Sequence, residues 1–395
     1  MECMLSFHRL GARAVIICAI FASSISSGAA ARPSAPRQET GFLNRAVTVA
    51  GTTYKFQVFI PEMLANPKAP TGNSKFPGRG PEPPPIILFL HGRGERGSEG
   101  MWQTQIGLPQ ELRDHPERWP FIVVMPQCSL RHFWTDPEML QLALASLDQE
   151  VKEFHADPDR TYLTGLSLGG YGAWELAKLY PHRWAAIAIA SAGIFWSYAP
   201  DRWQSATSLP AEYAHRIGRI PIWLFHGSED TTVVPRQSDL MFEAFKAESG
   251  HIRLWEYQGL HHDSWSRAYN EPELPRWLLS HRLSQVAQLP PLAERLLVPL
   301  HPPALKLPPA ILDTYVGEYH DSSNVLIATI LHQGDQVYIK NAQGDINEIM
   351  AESSSTFFYP SGSLTRLTFD RDAQGRVNAI HLRDDRHEEV WEKRR

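Results

Sequence analysis

Short apolar runs alternate with helix-like segments through the middle of the chain. The apolar runs have the length of strands and occupy residues 86–90, 121–125, 161–164, 184–190, 222–225 and 252–257. The segments that read as helices are 138–154, 171–180, 241–248 and 275–284. Continuous apolar strands separated by helices are typical of a parallel sheet that is covered on both faces. The pattern therefore predicts an α/β fold.

A different pattern precedes this region. Residues 46–49 and 54–60 are strand-like and flank Gly51, which predicts a hairpin. Residues 61–85 are rich in Pro, Gly and Asn and predict a long surface loop.

The pattern changes again after about residue 288. Residues 289–309 are rich in Pro and Leu and predict a semi-rigid linker. Residues 310–395 contain short strand-like runs separated by turn signals, which predict a small antiparallel β domain. The main α/β domain is accordingly expected over residues 41–288.

The first 31 residues resemble a targeting segment. Arg9 and Arg13 precede an apolar run at 14–22, and small residues follow as far as Ala31. This order predicts a signal peptide over residues 1–31 and a secreted or periplasmic protein, with an uncleaved N-terminal anchor as the alternative. No other membrane-spanning segment is expected.

Composition narrows the possible chemistry. The chain has 395 residues and a net charge of −5 without a basic block, so a nucleic-acid partner is not expected. Of the three cysteines, only Cys128 lies beyond the predicted signal peptide, and it follows an apolar run. We expect a structural thiol there, and neither a metal centre nor a cofactor.

The segment Gly165-Leu166-Ser167-Leu168-Gly169 joins a predicted strand to a predicted helix. A serine in a sharp strand-to-helix turn, with glycines on both sides, is the arrangement of a nucleophile elbow. Glycine is needed because the turn leaves no room for neighbouring side chains. The sequence predicts Ser167 as a nucleophile; a purely structural Gly/Ser turn is the alternative.

A serine nucleophile needs a base and an acid that orients the base. Asp230 follows the strand at 222–225 and is the predicted acid, with Glu229 as competitor and a simple turn-capping role as the alternative. His262 follows the strand at 252–257 and is the predicted base, while the neighbouring His261 is expected to be a loop residue.

An oxyanion-binding turn is also expected. His91-Gly92-Arg93-Gly94 follows an early strand, and the backbone N–H groups of Arg93 and Leu168 are predicted to bind the oxyanion. His91 itself is expected to have a structural role. Trp134 and Trp265 either line an aromatic or sugar-binding cleft or are ordinary aromatics of the core or of the rim.

Taken together, these motifs resemble secreted α/β-hydrolases known as predicted peptidases or phospholipase/carboxylesterase-like esterases, which are related to feruloyl-esterase-like and polyhydroxybutyrate-depolymerase-like enzymes. The resemblance rests on residues 90–97, 126–128, 159–170 and 262–265. It implies an α/β-hydrolase fold, with Ser167, Asp230 and His262 as a catalytic triad. The C-terminal β domain more distantly resembles small β modules that follow some esterase domains.

The resulting hypothesis is a secreted serine carboxylesterase that needs no cofactor and acts on a small-molecule or polysaccharide-linked ester. A serine peptidase of the same fold and a catalytically inactive binding protein remain as alternatives.

Overall fold

The computed structural model describes residues 39–65, 83–195, 208–299, 301, 303–360, 365–383 and 388–394. The predicted signal peptide, residues 1–31, lies outside the described residues, as does most of the predicted loop at 61–85. Within the described residues, no helix is both long and apolar enough to cross a membrane.

The main domain is built on a nine-stranded sheet. Its strands are β1 Gly41–Val49, β2 Thr52–Ile60, β3 Ile86–Leu90, β4 Ile122–Pro126, β5 Thr161–Leu166, β6 Ala186–Ala190, β7 Ile222–Gly227, β8 His251–Tyr257 and β9 Leu292–Val298. They are ordered β1-β2-β4-β3-β5-β6-β7-β8-β9. Strands β1 and β2 form the predicted antiparallel hairpin, β2 is antiparallel to β4, and β3 to β9 are parallel.

Helices connect the strands. They are α1 Glu62–Ala65, α2 Leu108–Asp114, α3 Pro137–Phe154, α4 Leu168–Leu179, α5 Ser208–Ile217, α6 Arg236–Ala247, α7 Trp265–Asn270 and α8 Leu274–Leu279. Short 3₁₀ segments occupy Trp102–Thr104, Pro116–Arg118, Pro158–Arg160, Pro181–Arg183 and Leu283–Gln288. The short helices α2, α5 and α7 were not predicted, because so few turns produce little periodicity.

The alternation of side chains along the central strands explains why these strands are apolar throughout. In β3, Ile86, Leu88 and Leu90 point into one apolar cluster, whereas Ile87 and Phe89 point into another. Helices α3 to α6 pack on the first face and α2, α7 and α8 on the second. The central strands are therefore buried on both faces, which confirms the predicted α/β fold, here an α/β-hydrolase fold.

The linker prediction is wrong for part of its length. Strand β9, Leu292–Val298, pairs in parallel with all seven residues of β8 and extends the sheet. Its residues are mostly exposed, and Glu294 and Arg295 lie in the middle of the strand. Consecutive residues of this edge strand are exposed, so neither face is covered enough to impose an alternating apolar pattern, and the strand was therefore not predicted from the sequence.

The C-terminal region forms a closed antiparallel barrel, in agreement with the predicted β domain. After the short helix α9 Pro309–Leu312, the strands are β10 Gly317–His320, β11 Leu326–Gln333, β12 Gln336–Asn341, β13 Ile346–Ala351, β14 Thr356–Phe358, β15 Arg366–Arg371, β16 Val377–Arg383 and β17 Glu388–Lys393. Pairing of β10 with β17 closes the barrel. Aromatic side chains, among them Tyr315, Phe357 and Phe369, fill its interior.

Candidate active site

Ser167 lies in the sharp turn between β5 and α4. Its φ of 48° and ψ of −119° place the backbone in a region that residues other than glycine rarely adopt. A Cβ at Gly165 would lie 2.4 Å from the carbonyl oxygen of Gly169, and one at Gly169 would lie 1.9 Å from that of Leu90. Both glycines are therefore required by close packing of the turn against β3 and α4.

The structure brings Ser167, His262 and Asp230 together, although they are far apart in sequence. The Oγ of Ser167 lies 2.9 Å from Nε2 of His262, and Nδ1 of His262 lies 2.7 Å from Oδ2 of Asp230. Each residue follows the carboxyl end of a parallel strand, namely β5, β7 or β8. The parallel sheet gathers these three strand ends at one edge.

Asp230 is buried and heavily hydrogen-bonded. Its Oδ1 accepts the backbone N–H groups of Thr232 and Val233 at 2.8 and 2.9 Å. Burial by itself would raise the pKa of this carboxyl group. Hydrogen bonds from the imidazoles of His226 and His262 outweigh burial and hold the pKa of Asp230 well below its usual range.

The two competing residues point elsewhere. The side chains of Glu229 and His261 are 59% and 65% exposed and face each other at 3.8 Å. Nδ1 of His261 also bonds the carbonyl oxygen of Glu229 at 3.0 Å. The side chains of Glu229 and His261 thus form an exposed pair beside Asp230 and His262.

The turn after β3 borders the same site. A Cβ at Gly92 would lie 3.8 Å from the Cβ of Ser167, and Arg93 and Leu168 line the cavity that contains Ser167. Leu168 is the first residue of α4, so its N–H is among those left free of helical partners. The two residues whose N–H groups are predicted to bind the oxyanion therefore line one cavity.

His91 and Trp134 lie behind this turn. The buried His91 accepts the N–H of Cys128 on Nε2 at 2.9 Å, so Nδ1 carries the proton that bonds the carbonyl oxygen of Gly92 at 2.7 Å. Burial lowers the pKa of His91 to about 3. Trp134 is buried and donates to the carbonyl oxygen of His91 at 3.0 Å. Both residues support the turn and do not line the cavity.

Cys128 is a buried free thiol. Burial raises its pKa to about 12, which leaves it protonated and unreactive. Among the described residues, no group of His, Cys, Asp or Glu side chains is arranged to hold a metal ion.

The cavity above Ser167 has a volume of about 1200 Å³ and mixed polar and apolar walls. Trp265 lines it and packs edge-on against His262, with ring centroids 5.1 Å apart. Of the two tryptophans considered from the sequence, Trp265 lines the cavity and also packs in an apolar cluster, whereas Trp134 packs in the core and does not line the cavity.

Two residues near the site were missed by sequence reasoning. His226 is fully buried, and its Nε2 lies 3.2 Å from Oδ2 of Asp230 and 2.7 Å from the carbonyl oxygen of Val233. Glu95 lines the cavity. Burial raises the pKa of its carboxyl group, and hydrogen bonds from the backbone N–H groups of Glu95 and Gly92 partly offset that rise. The sequence did contain one signal for His226, because this residue stands directly after a predicted strand and four residues before Asp230.

Residues 74–273, about half of the chain, match the family described as "Putative esterase". The chain belongs to this esterase family. Residues 301–394, which contain the barrel, match a domain of unknown function, DUF3471.

This esterase-family chain is also similar to two curated fungal enzymes. It is 28% identical over 151 residues to acetylxylan esterase A of Emericella nidulans, covering 33% of this chain and 47% of that enzyme. It is 26% identical over 216 residues to feruloyl esterase B of Thermothelomyces thermophilus, covering 47% of this chain and 72% of that enzyme. The chain thus spans about half the length of acetylxylan esterase A.

Among solved structures, the chain is similar to a thermostable esterase, with 26% identity, a TM-score of 0.46, and coverage of 61% of this chain and 63% of that one. It is also similar to an acylaminoacyl peptidase of Pyrococcus horikoshii, with 16% identity and a TM-score of 0.45. That similarity covers 61% of this chain and 42% of the peptidase chain.

Proposed function

We propose that the protein is a serine hydrolase that cleaves carboxylic esters through an acyl-enzyme. The observation that carries the proposal is the continuous hydrogen-bonded chain from Ser167 Oγ through His262 to Asp230, with distances of 2.9 and 2.7 Å. A hydroxyl bonded to an imidazole that is itself oriented by a buried carboxylate is equipped for nucleophilic attack.

In the first half-reaction, Nε2 of His262 takes the Ser167 proton while Oγ bonds the ester carbonyl carbon. The carbonyl π electrons move to oxygen, and the N–H groups of Arg93 and Leu168 bind the resulting oxyanion. Each such donor is worth about 3 kcal/mol of barrier. The tetrahedral intermediate then breaks its bond to the alcohol oxygen, which takes the proton from His262.

In the second half-reaction, water replaces the alcohol. His262 removes a proton from the water, whose oxygen attacks the acyl carbon, and the intermediate breaks its bond to Ser167. The proton passes from His262 to Ser167 Oγ, which releases the carboxylic acid and restores the enzyme. Asp230 stays ionised throughout because its pKa is held low, and it stabilises the imidazolium that forms in both halves.

The proposed substrates are esters attached to a small molecule or to a polysaccharide. Similarity to an acetylxylan esterase and a feruloyl esterase supports this class over peptides. We also propose that the chain is exported, on the basis of the basic and apolar order of residues 1–31.

Active-site labelling combined with substrate panels tests the proposal. A fluorophosphonate probe should label the folded wild-type protein at Ser167 and should not label Ser167→Ala. Ser98→Ala, which changes an exposed serine in the turn after β3, should label normally. On 4-nitrophenyl acetate, Ser167→Ala should lower kcat by roughly 10⁶-fold.

Full turnover by Ser167→Ala would refute the mechanism. Amide substrates that are cleaved as fast as esters with the same acyl group would assign the protein to the peptidases instead.

A further inference from the structure

We propose that a groove between the main domain and the barrel binds the alcohol part of a carbohydrate ester. The inference rests on the proposed esterase function and extends it to a substrate class. The groove has a volume of about 810 Å³ and is lined by helices α2 and α7 on one side and by the barrel on the other. We refer to it as the junction groove.

The junction groove adjoins the cavity above Ser167. Gln110 of α2 and Ser266 of α7 line both spaces. The two spaces therefore meet at these two helices, and we place the alcohol part of the substrate along this route.

The junction groove lies on the leaving-group side of the site. His262 is the residue that protonates the departing alcohol oxygen, so the alcohol must lie next to its Nε2. Helix α7 begins three residues after His262, and Ser266, Arg267 and Asn270 along it line the junction groove. The part of the substrate that extends from His262 along α7 into the junction groove is therefore the alcohol.

The barrel forms the far wall at a defined position. Strand β9 ends at Val298 in the main sheet, and His301 already stacks on Phe358 of the barrel with ring centroids 4.3 Å apart. Across the groove, Arg383 of β16 reaches Asp114 of α2 at 3.5 Å. The short connection keeps the barrel close to α2 and α7.

The chemistry of the walls favours a neutral, hydroxyl-rich ligand. The arginines of the barrel wall are paired with carboxylates, Arg366 with Glu352 and Arg383 with Asp114, so the groove presents many donors and acceptors with little uncompensated charge. Planar guanidinium, carboxylate and amide groups match vicinal hydroxyl pairs well.

Two other ligand classes fit the walls less well. Among the described residues that line the groove, the apolar ones are Val298 and three prolines, so a fatty alcohol would gain little burial against them. Its described residues come from helices, turns and strand ends, and the edge strand β9 contributes its last residue alone, so the described lining offers a peptide no length of strand to pair with.

A matched pair of barrel variants tests this inference in the full chain. Arg383→Ala removes an arginine that lines the groove and is 61% exposed, and Arg376→Ala removes one that is 59% exposed, also ion-paired, and lines neither cavity. Asp114→Ala probes the opposite wall. The substrates are 4-nitrophenyl acetate and acetylated xylo-oligosaccharides of increasing length.

We expect Arg383→Ala and Asp114→Ala to raise KM for the longer oligosaccharide esters by about three- to tenfold, as for the loss of one or two hydrogen bonds. Their kcat and their kinetics on 4-nitrophenyl acetate should equal those of the wild type, and Arg376→Ala should resemble the wild type on every substrate. A KM that is unchanged on long esters, or that rises equally on the aryl ester, would overturn the inference.

A binding measurement separates this inference from the proposed activity. Ser167→Ala cannot turn over, so titration calorimetry with unacetylated xylo-oligosaccharide measures the groove alone. Saturable binding that weakens in Ser167→Ala/Arg383→Ala supports the groove even if no ester is hydrolysed. Binding of peptides but not of oligosaccharide would overturn the saccharide assignment.

Discussion

At the scale of single residues, the position of the Asp230 carboxylate depends on more than its contact with His262. Two backbone N–H groups hold Oδ1, and Nε2 of the buried His226 lies 3.2 Å from Oδ2. Nδ1 of His226 is itself bonded to Ser238 Oγ at 2.7 Å, which fixes the ring orientation. We infer that His226 is a positioning residue that acts on the base through Asp230.

Replacing His226 by Phe removes a hydrogen bond that lowers the pKa of Asp230, so this pKa should rise. The carboxylate that orients His262 is then held less firmly, so kcat at neutral pH should fall about tenfold with KM unchanged, as for the loss of one charge-assisted hydrogen bond. The measurement is kcat and KM on 4-nitrophenyl acetate at neutral pH.

His261→Gln is the matched control for His226→Phe, because His261 is an exposed histidine beside the same acid. Its kcat and KM should equal those of the wild type, and His226→Gln should recover part of the lost activity through its amide donor. A His226→Phe enzyme that is less stable but keeps the wild-type kcat would show that His226 acts only on folding.

At the scale of elements, the active site depends on how closely the turn between β5 and α4 packs against β3. The glycines of this turn were predicted from the sequence because a nucleophile elbow needs room. The atoms they make room for are the Gly169 and Leu90 carbonyl oxygens, which only the packed sheet brings near.

Gly169→Ala should destabilise the protein by about 1–3 kcal/mol, because its Cβ overlaps backbone that cannot rotate away. Since the overlap displaces the turn, kcat should fall as well. Urea unfolding and kcat are the two measurements. Gly94→Ala is the control, because nothing lies within 4 Å of its added Cβ; equal losses of stability in the two variants would contradict this account.

At the scale of the whole molecule, the boundary between the main domain and the barrel lies later than the sequence suggested. Strand β9 pairs with β8 along its whole length. Just beyond β8, the N–H of Gln258 donates to the carbonyl oxygen of Val298 at 2.8 Å, and Arg295 forms an ion pair with Asp239 at 3.0 Å. Residues 292–298 therefore belong to the sheet.

Two truncations test this boundary. A chain that ends at Val298 keeps the nine-stranded sheet. A chain that ends at Pro291 lacks β9 and so exposes the edge of β8, a strand whose residues are mostly apolar and buried. We expect the shorter chain to aggregate and to melt lower, by about 2–4 °C for each kcal/mol lost. Equal melting temperatures would show that β9 contributes nothing to the sheet.

The sequence by itself determined the α/β class, the hairpin and the C-terminal β domain, and it named Ser167, Asp230 and His262 as candidates. These predictions depend on local rules: alternation and apolar runs define strands, and the glycine-flanked serine at 165–169 marks a sharp turn between a strand and a helix. Such signals can be read from the sequence because each depends on residues that are close to one another along the chain.

The tertiary structure alone decided the remaining features. The exposed edge strand β9 has no apolar alternation, and the hydrogen bond from His226 to Asp230 depends on the fold of one loop. The junction groove joins α2 and α7 to barrel residues more than eighty positions away. None of these has a local pattern, because each arises from packing between elements that are distant along the chain.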